Sequence, residues 1–91
     1  MEAQILIGNV PEWERVGEAW DMWNAMVLRC YQYRVAKFKG FTISEEWKDF
    51  GTFREWFKGN HFYGARMYCH ESKVYGPETT TFVSLKVLKV L

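Results

Sequence analysis

Apolar residues recur at helical spacing over one long stretch of the chain. From about Trp13 to Tyr31 they fall at Val16, Ala19, Trp20, Trp23, Met26, Val27, Cys30 and Tyr31. That i, i+3, i+4, i+7 recurrence predicts an amphipathic helix. Glu12 and Glu14 lie near its start, where carboxylates complement the helix dipole, and Glu18, Asp21 and Asn24 occupy the opposite face. A second helical pattern runs through Trp47, Phe50, Phe53, Arg54 and Phe57, ends at Lys58-Gly59-Asn60 and is weakened by Gly51. Ser44 or Thr42 can cap it, with Glu45 placed three residues after Thr42 as a capping box requires.

Elsewhere the period shortens. Residues 3–10 form an apolar segment, a strand or a packed arm, that Pro11 interrupts. Residues 32–41 read as a basic, aromatic connection. Residues 61–70 and 73–75 read as short strands, Gly76-Pro77 as a turn, and Thr79–Val83 as a β-branched and aromatic strand. The tail SLKVLKVL suits a helix by its leucine spacing and a strand by its β-branching. The expected architecture is α+β: two amphipathic helices packed on a small antiparallel β region. Trp20, Trp23, Met26, Cys30, Trp47, Phe50, Phe53 and Phe82 are the expected core.

Composition bounds this picture. A chain of 91 residues fits one domain, residues 1–91, and its 19% aromatic content compensates for a small core. The formal net charge of +1 removes the simplest argument for a nucleic-acid binder. The distribution is uneven, however. Residues 1–28 carry five acids against Arg15 alone, a net −4, and residues 29–91 carry eleven bases against six acids, a net +5. The two cysteines, Cys30 and Cys69, fit no zinc or redox spacing, which points to a reducing compartment. With no long apolar run and an acidic Met1-Glu2-Ala3-Gln4 start, the expectation is a cytoplasmic protein with no membrane contact.

Three segments carry a resemblance. Trp23-Asn24-Ala25-Met26-Val27-Leu28-Arg29-Cys30-Tyr31 resembles a W-x-x-M-x-x-R-C segment. Gly40-Phe41-Thr42-Ile43-Ser44-Glu45-Glu46-Trp47 with Phe50 and Phe53 resembles G-x-x-V-C-x-E-W…F-x-x-F. Val74-Tyr75-Gly76-Pro77-Glu78-Thr79-Thr80-Thr81-Phe82-Val83 resembles Y-S-P-E-T-C-x-F-V. In this order, over roughly residues 20–83, they resemble small phage-encoded HNH-type endonucleases. The resemblance implies an HNH-like, ββα-type scaffold and an ancestry in nucleic-acid cleavage. It also implies a defect. Where the family carries an acidic L-D-x-D-type cluster, this chain has Tyr63-Gly64-Ala65-Arg66, and the helix expected after the turn is replaced by Ser84-Leu85-Lys86-Val87-Leu88.

Phosphodiester cleavage on such a scaffold needs a general base and a metal held by His, Asp or Asn. His61, His70 and Glu71 are the candidates, yet eight residues separate the histidines, which matches no common ligand spacing. Two partly exposed histidines at strand ends are the simpler reading, and a zinc site from Cys30, Cys69, His61 and His70 is not predicted by spacing. No catalytic residue, metal or cofactor is therefore assigned. Two surfaces remain. Arg29, Arg34, Lys37 and Lys39, interleaved with Tyr31, Tyr33 and Phe38, are candidate nucleic-acid contacts or a solvated loop. Glu14, Glu18 and Asp21 are candidate partner contacts, a phosphate-like surface for a basic nucleic-acid-binding protein, or an ordinary outer face. Surplus rings, with Tyr33, Trp56 and Tyr63 first in line, suit a protein–protein contact.

The functional expectation is a non-catalytic phage-type binding protein on an HNH-like scaffold. It would act on a host nucleic-acid-processing or defence nuclease machine, as an anti-restriction or anti-CRISPR-like inhibitor does. The alternative is a DNA-binding or weakly nicking HNH-type endonuclease.

Overall fold

The computed structural model describes residues 2–32, 39–70 and 72–84. Over these residues the chain is a small α+β fold with three α-helices, α1 (Glu2–Gly8), α2 (Glu18–Tyr31) and α3 (Phe50–Asn60). Four strands join them: β1 (Thr42–Ile43), β2 (Ala65–Cys69), β3 (Val74–Tyr75) and β4 (Thr80–Ser84).

The first segment is a helix, not a strand or arm. Ala3 and Leu6, one turn apart, are buried along with Val10, and α1 packs on α2. Arg15 braces its C-terminal end, donating from Nη2 to the Ile7 carbonyl at 3.0 Å and from Nε to the Val10 carbonyl, just past the helix, at 2.8 Å. The guanidinium then lies 6.0 Å from the Trp20 ring centre.

The second helix starts later than its pattern suggests. Glu12–Glu14 form a 3-10 turn, and Gly17, at φ +95°, breaks the chain before Glu18. That backbone angle is readily available only to glycine. Val16, which the periodicity placed on the buried face, is consequently 72% exposed, and Trp13 is 75% exposed. From Ala19 onward the phase holds, with Trp20, Trp23, Met26 and Val27 buried.

The second predicted helix is also shorter at its start. Thr42 and Ile43 are extended and pair in parallel with Val74 and Tyr75. The Ile43 amide donates to the Tyr31 hydroxyl at 3.0 Å, tying β1 to α2. Ser44 accepts from the Trp47 amide and so opens the 3-10 turn Glu46–Lys48 rather than the helix. Glu45 forms no capping box but meets Lys48 at 2.9 Å. The true N-cap of α3 is Asp49, whose Oδ2 accepts from the Thr52 amide at 2.9 Å and the Thr52 hydroxyl at 2.8 Å.

The β region is two sheets instead of one antiparallel unit. β1 and β3 form a parallel pair, and β2 and β4 form an antiparallel ribbon in which Met67 faces Phe82 and Tyr68 faces Thr81. Of residues 61–70, expected as a strand, only Ala65–Cys69 are extended in the sheet.

The core lies where α2, α3 and the Glu46–Lys48 turn meet. Trp23, Met26, Val27, Trp47 and Phe53 are wholly buried. The Trp23 indole N–H donates to the Trp47 carbonyl at 2.7 Å. Trp47 stands edge-on to Phe53 at 5.0 Å and meets Trp56 at 4.6 Å. Two expected core residues lie at the margin. Cys30 and Phe82 are half-buried, the latter stacked on Trp56 at 4.9 Å. The Tyr33, Arg34, Lys37 and Phe38 positions, Glu71 and the tail from Leu85 lie outside the described residues.

Candidate functional site

The acidic residues do not form one open stripe. Glu14, on the 3-10 turn, is three-quarters buried, and its carboxylate lies 3.9 Å from the Arg54 guanidinium of α3. Glu18, at the first turn of α2, is 75% exposed and reaches the His61 ring at 3.4 Å. Asp21 is exposed one turn further on. Glu14 and Glu18 therefore each face a cation or imidazole of α3 or its cap rather than open solvent alone.

Around them the surface is apolar and acidic together. Trp13 and Val16 project into solvent between Glu12, Glu14 and Glu18. Beside Glu14 opens a groove of about 310 Å³, floored by Leu6, Val10 and Phe50 and rimmed by Glu45, Asp49 and Lys48. An exposed indole flanked in sequence by carboxylates has the character of a protein-binding anchor.

The basic candidates divide. Arg29 is half-buried and donates from Nη1 to the Tyr75 hydroxyl at 3.0 Å, with its guanidinium 5.8 Å from the Tyr75 ring centre. Its charge thus braces α2 against β3. Lys39 is exposed beside Gly40, where the Lys73 side chain also runs. Arg34 and Lys37 fall outside the described residues.

The two histidines have different surroundings. His61 is the C-cap of α3, and its ring stacks on Phe57 at 4.3 Å and stands edge-on to Phe82 at 5.2 Å. It is partly exposed, but it belongs to the aromatic margin of the core at a helix end rather than to a strand end. His70 follows β2 and is exposed, its Nε2 lying 2.9 Å from the Thr81 hydroxyl and its ring edge-on to Tyr68 at 5.0 Å. Among the described residues, no three His, Cys, Asp or Glu side chains converge as a metal site requires. Gly64 adopts φ +81° and Arg66 faces solvent.

Burial pushes the Cys30 thiol up to about 11, an effect the Arg29 charge opposes and Cys69 adds to. Cys69 is also raised, chiefly by burial, with hydrogen bonds from Thr80 and Thr79 acting the other way. Its Sγ donates to the Ser72 carbonyl at 3.2 Å. Thiols held in this protonated form are poor nucleophiles and poor metal ligands.

Of one further surface, the sequence pointed to Tyr63 alone. Alternation along β2 and β4 places Arg66 and Tyr68 outward with Thr81, while Ala65, Met67, Thr80 and Phe82 turn inward. Tyr68 is 48% exposed and Tyr63, ahead of the strand, 102% exposed. The period-two pattern over residues 65–69 was the signal that could have found it. Among the described residues, no helix is long and apolar enough to cross a membrane. No protein-family model, no curated protein and no solved structure matches this chain.

Proposed function

We propose that this chain is a non-catalytic binding protein on an HNH-like scaffold, which docks its acidic end on a basic surface of a nucleic-acid-processing protein. A restriction nuclease or CRISPR effector of the host is the partner class this reading favours, and inhibition is the expected consequence. The observation that carries it is Trp13. A 75% exposed indole has no role in the core, and it sits among Glu12, Glu14 and Glu18. Hot spots combine such a ring with a rim that matches the partner's charge. A channel built for phosphate presents lysines and arginines, and the groove beside Glu14, whose rim carries Glu45 and Asp49 together with Lys48, offers their stems an apolar floor.

The resemblance of the three motifs to phage HNH-type proteins supplies the nucleic-acid context. Gly64 and Arg66, where acids would serve cleavage, supply the non-catalytic part. Purified restriction nucleases and CRISPR effectors, assayed for plasmid cleavage with and without the protein, test the reading. Inhibition is expected to be lost in Trp13→Ala and in the Glu14→Lys/Glu18→Lys/Asp21→Lys variant, with the second effect shrinking at high salt. Inhibition untouched by either variant, or divalent-metal-dependent nicking of the plasmid by the protein itself, overturns it.

A further inference from the structure

We infer that the outer face of the β2–β4 ribbon is a stacking platform for single-stranded nucleic acid. This surface is separate from the acidic end and does not depend on its reading.

The argument begins with strand geometry. Alternate residues of a strand share a face at a repeat of about 6.7 Å. On β2 that rule aligns Arg66 and Tyr68, and continuing it one step beyond the strand reaches His70. The cross-strand partner of Tyr68 is Thr81, whose hydroxyl lies 2.9 Å from His70 Nε2. His70 also makes a T-shaped contact with Tyr68 at 5.0 Å, beside which Tyr68 remains 48% exposed. A cation, a ring and an imidazole thus follow one another along one row, held in place by a hydrogen bond and a ring contact.

Tyr63 extends the row's chemistry. It precedes Gly64, whose φ of +81° turns the chain into β2, and at 102% exposure it makes no packing contribution to the fold. Phe62, next to it, is 44% exposed. Three of the exposed large apolar side chains therefore lie within residues 62–68, and all three are rings.

Charge selects the ligand. The ten residues from His61 to His70 contain no carboxylate, and their one permanent cation, Arg66, lies on the outer face, whereas His61 is paired with the Glu18 carboxylate at 3.4 Å. A phosphodiester backbone laid along Arg66 meets a cation and no opposing acid from β2. Duplex recognition is the weaker match. It relies on neutralising many phosphates, and this face offers one permanent cation. Single strands instead draw affinity from bases laid on aromatic rings, since every base has a π-face to offer.

The test is fluorescence anisotropy with a short labelled oligothymidylate, using the unlabelled oligomer and a duplex of equal length as competitors. The parent protein is expected to bind the single strand at low salt, and the duplex is expected to compete poorly. Tyr68→Ala should weaken binding roughly 5- to 100-fold, and Tyr68→Phe, which keeps the ring, should retain it. Arg66→Ala should lower the magnitude of the salt slope by about 0.7, the value for one phosphate contact on a single strand. Because Tyr68, Arg66 and Tyr63 are exposed, unchanged circular dichroism is expected to accompany these losses, and Tyr63→Ala provides a second variant whose fold is not at risk. Absence of binding at low salt overturns the proposal. So does binding that Tyr68→Ala, Tyr63→Ala and Arg66→Ala all leave intact, or a duplex that competes as well as the single strand.

Discussion

Trp23 and Trp47, between α2 and α3, are wholly buried, whereas Tyr63, at the mouth of the β2–β4 ribbon, is fully solvated. The two regions draw on the same aromatic surplus for opposite ends. In the helical region the rings touch one another: Trp20 meets Trp23 at 5.5 Å, and Phe50 stands edge-on to Trp20 at 5.5 Å. In the ribbon, Phe82 turns inward to Trp56 while Tyr68 turns out to His70. A ring that fills the core cannot be removed without a large loss of stability, so its loss confounds binding with folding. A ring that faces water can be removed at little cost, so its loss isolates function.

The largest expected effect tests the buried side of that contrast. Trp23→Ala or Trp47→Ala should cost about 3–5 kcal/mol, as Trp truncations in cores do. That is a large fraction of the roughly 5–15 kcal/mol that a domain holds. The conservative change separates the two further. Trp23→Phe deprives the Trp47 carbonyl of its 2.7 Å donor, whereas the Trp47 indole N–H has no hydrogen-bond acceptor among the described residues. Trp47→Phe should therefore be the milder substitution in urea denaturation. Equal midpoints for both phenylalanine variants would mean the hydrogen bond contributes nothing measurable.

The cysteines place one thiol in each region. Cys30 is on α2 and pushed to about 11 by burial. At pH 8 its thiolate fraction is about two orders of magnitude below that of a free cysteine, so alkylation by iodoacetamide should slow in proportion. Cys69, on the ribbon, should react faster than Cys30, read by mass spectrometry of the two peptides. The raised value also has a stability consequence. The folded state holds the proton more tightly than the unfolded chain, so the contribution is complete below the unfolded thiol value. It is lost as pH rises from about 9 toward about 11. A Cys30→Ala variant should show a flatter decline of stability over that window.

How much of this was legible in the sequence follows the same division. α2 from Ala19 and α3 from Phe50 announce themselves because their buried residues repeat at the helical period, and packing agrees with that pattern. The start of α2 does not. Trp13 and Val16 continue the period, but Gly17 imposes a backbone angle that ends it. α1 was obscured because Ile5 and Ile7 favour a strand locally, and only the burial of Ala3 and Leu6 against α2 decides for a helix. The parallel pairing of Thr42–Ile43 with Val74–Tyr75 joins segments far apart in sequence, for which no local signal exists. At the candidate surfaces a sequence displays charges but not what they face. It showed Glu14 and Glu18 without Arg54 and His61, and Arg29 without the Tyr75 hydroxyl.

A smaller effect is expected at the boundary between core and surface. Asp49 is exposed, yet its carboxylate satisfies the Thr52 amide at the start of α3. Asp49→Ala should cost about 1 kcal/mol, the usual value of an N-cap, and Asp49→Ser should recover most of it. Thermal unfolding of the three proteins measures this directly. Should Asp49→Ser remain as unstable as Asp49→Ala, the loss would come from charge at the groove rather than from capping.

The smallest stability effect belongs to the displayed rings, and it is the one that decides whether the contrast is functional. Trp13→Ala and Tyr68→Ala should each leave stability within about 0.5 kcal/mol of the parent, as substitutions at exposed sites do. Tyr68 does make one contact, the edge-on approach to His70, so a loss slightly above that of Trp13→Ala is consistent with a ring that is oriented but not buried. Denaturant titrations of both variants, run beside the parent, supply the number. A cost approaching that of Trp23→Ala in either variant would show the ring to be part of the core, and the surface assigned to it would fail. With stability preserved, the two variants become clean probes. Trp13→Ala should act on inhibition of a nuclease and leave oligonucleotide binding alone, and Tyr68→Ala should do the reverse. A shared loss in both assays would mean one continuous surface, meeting where Glu18 touches His61 at 3.4 Å, rather than two.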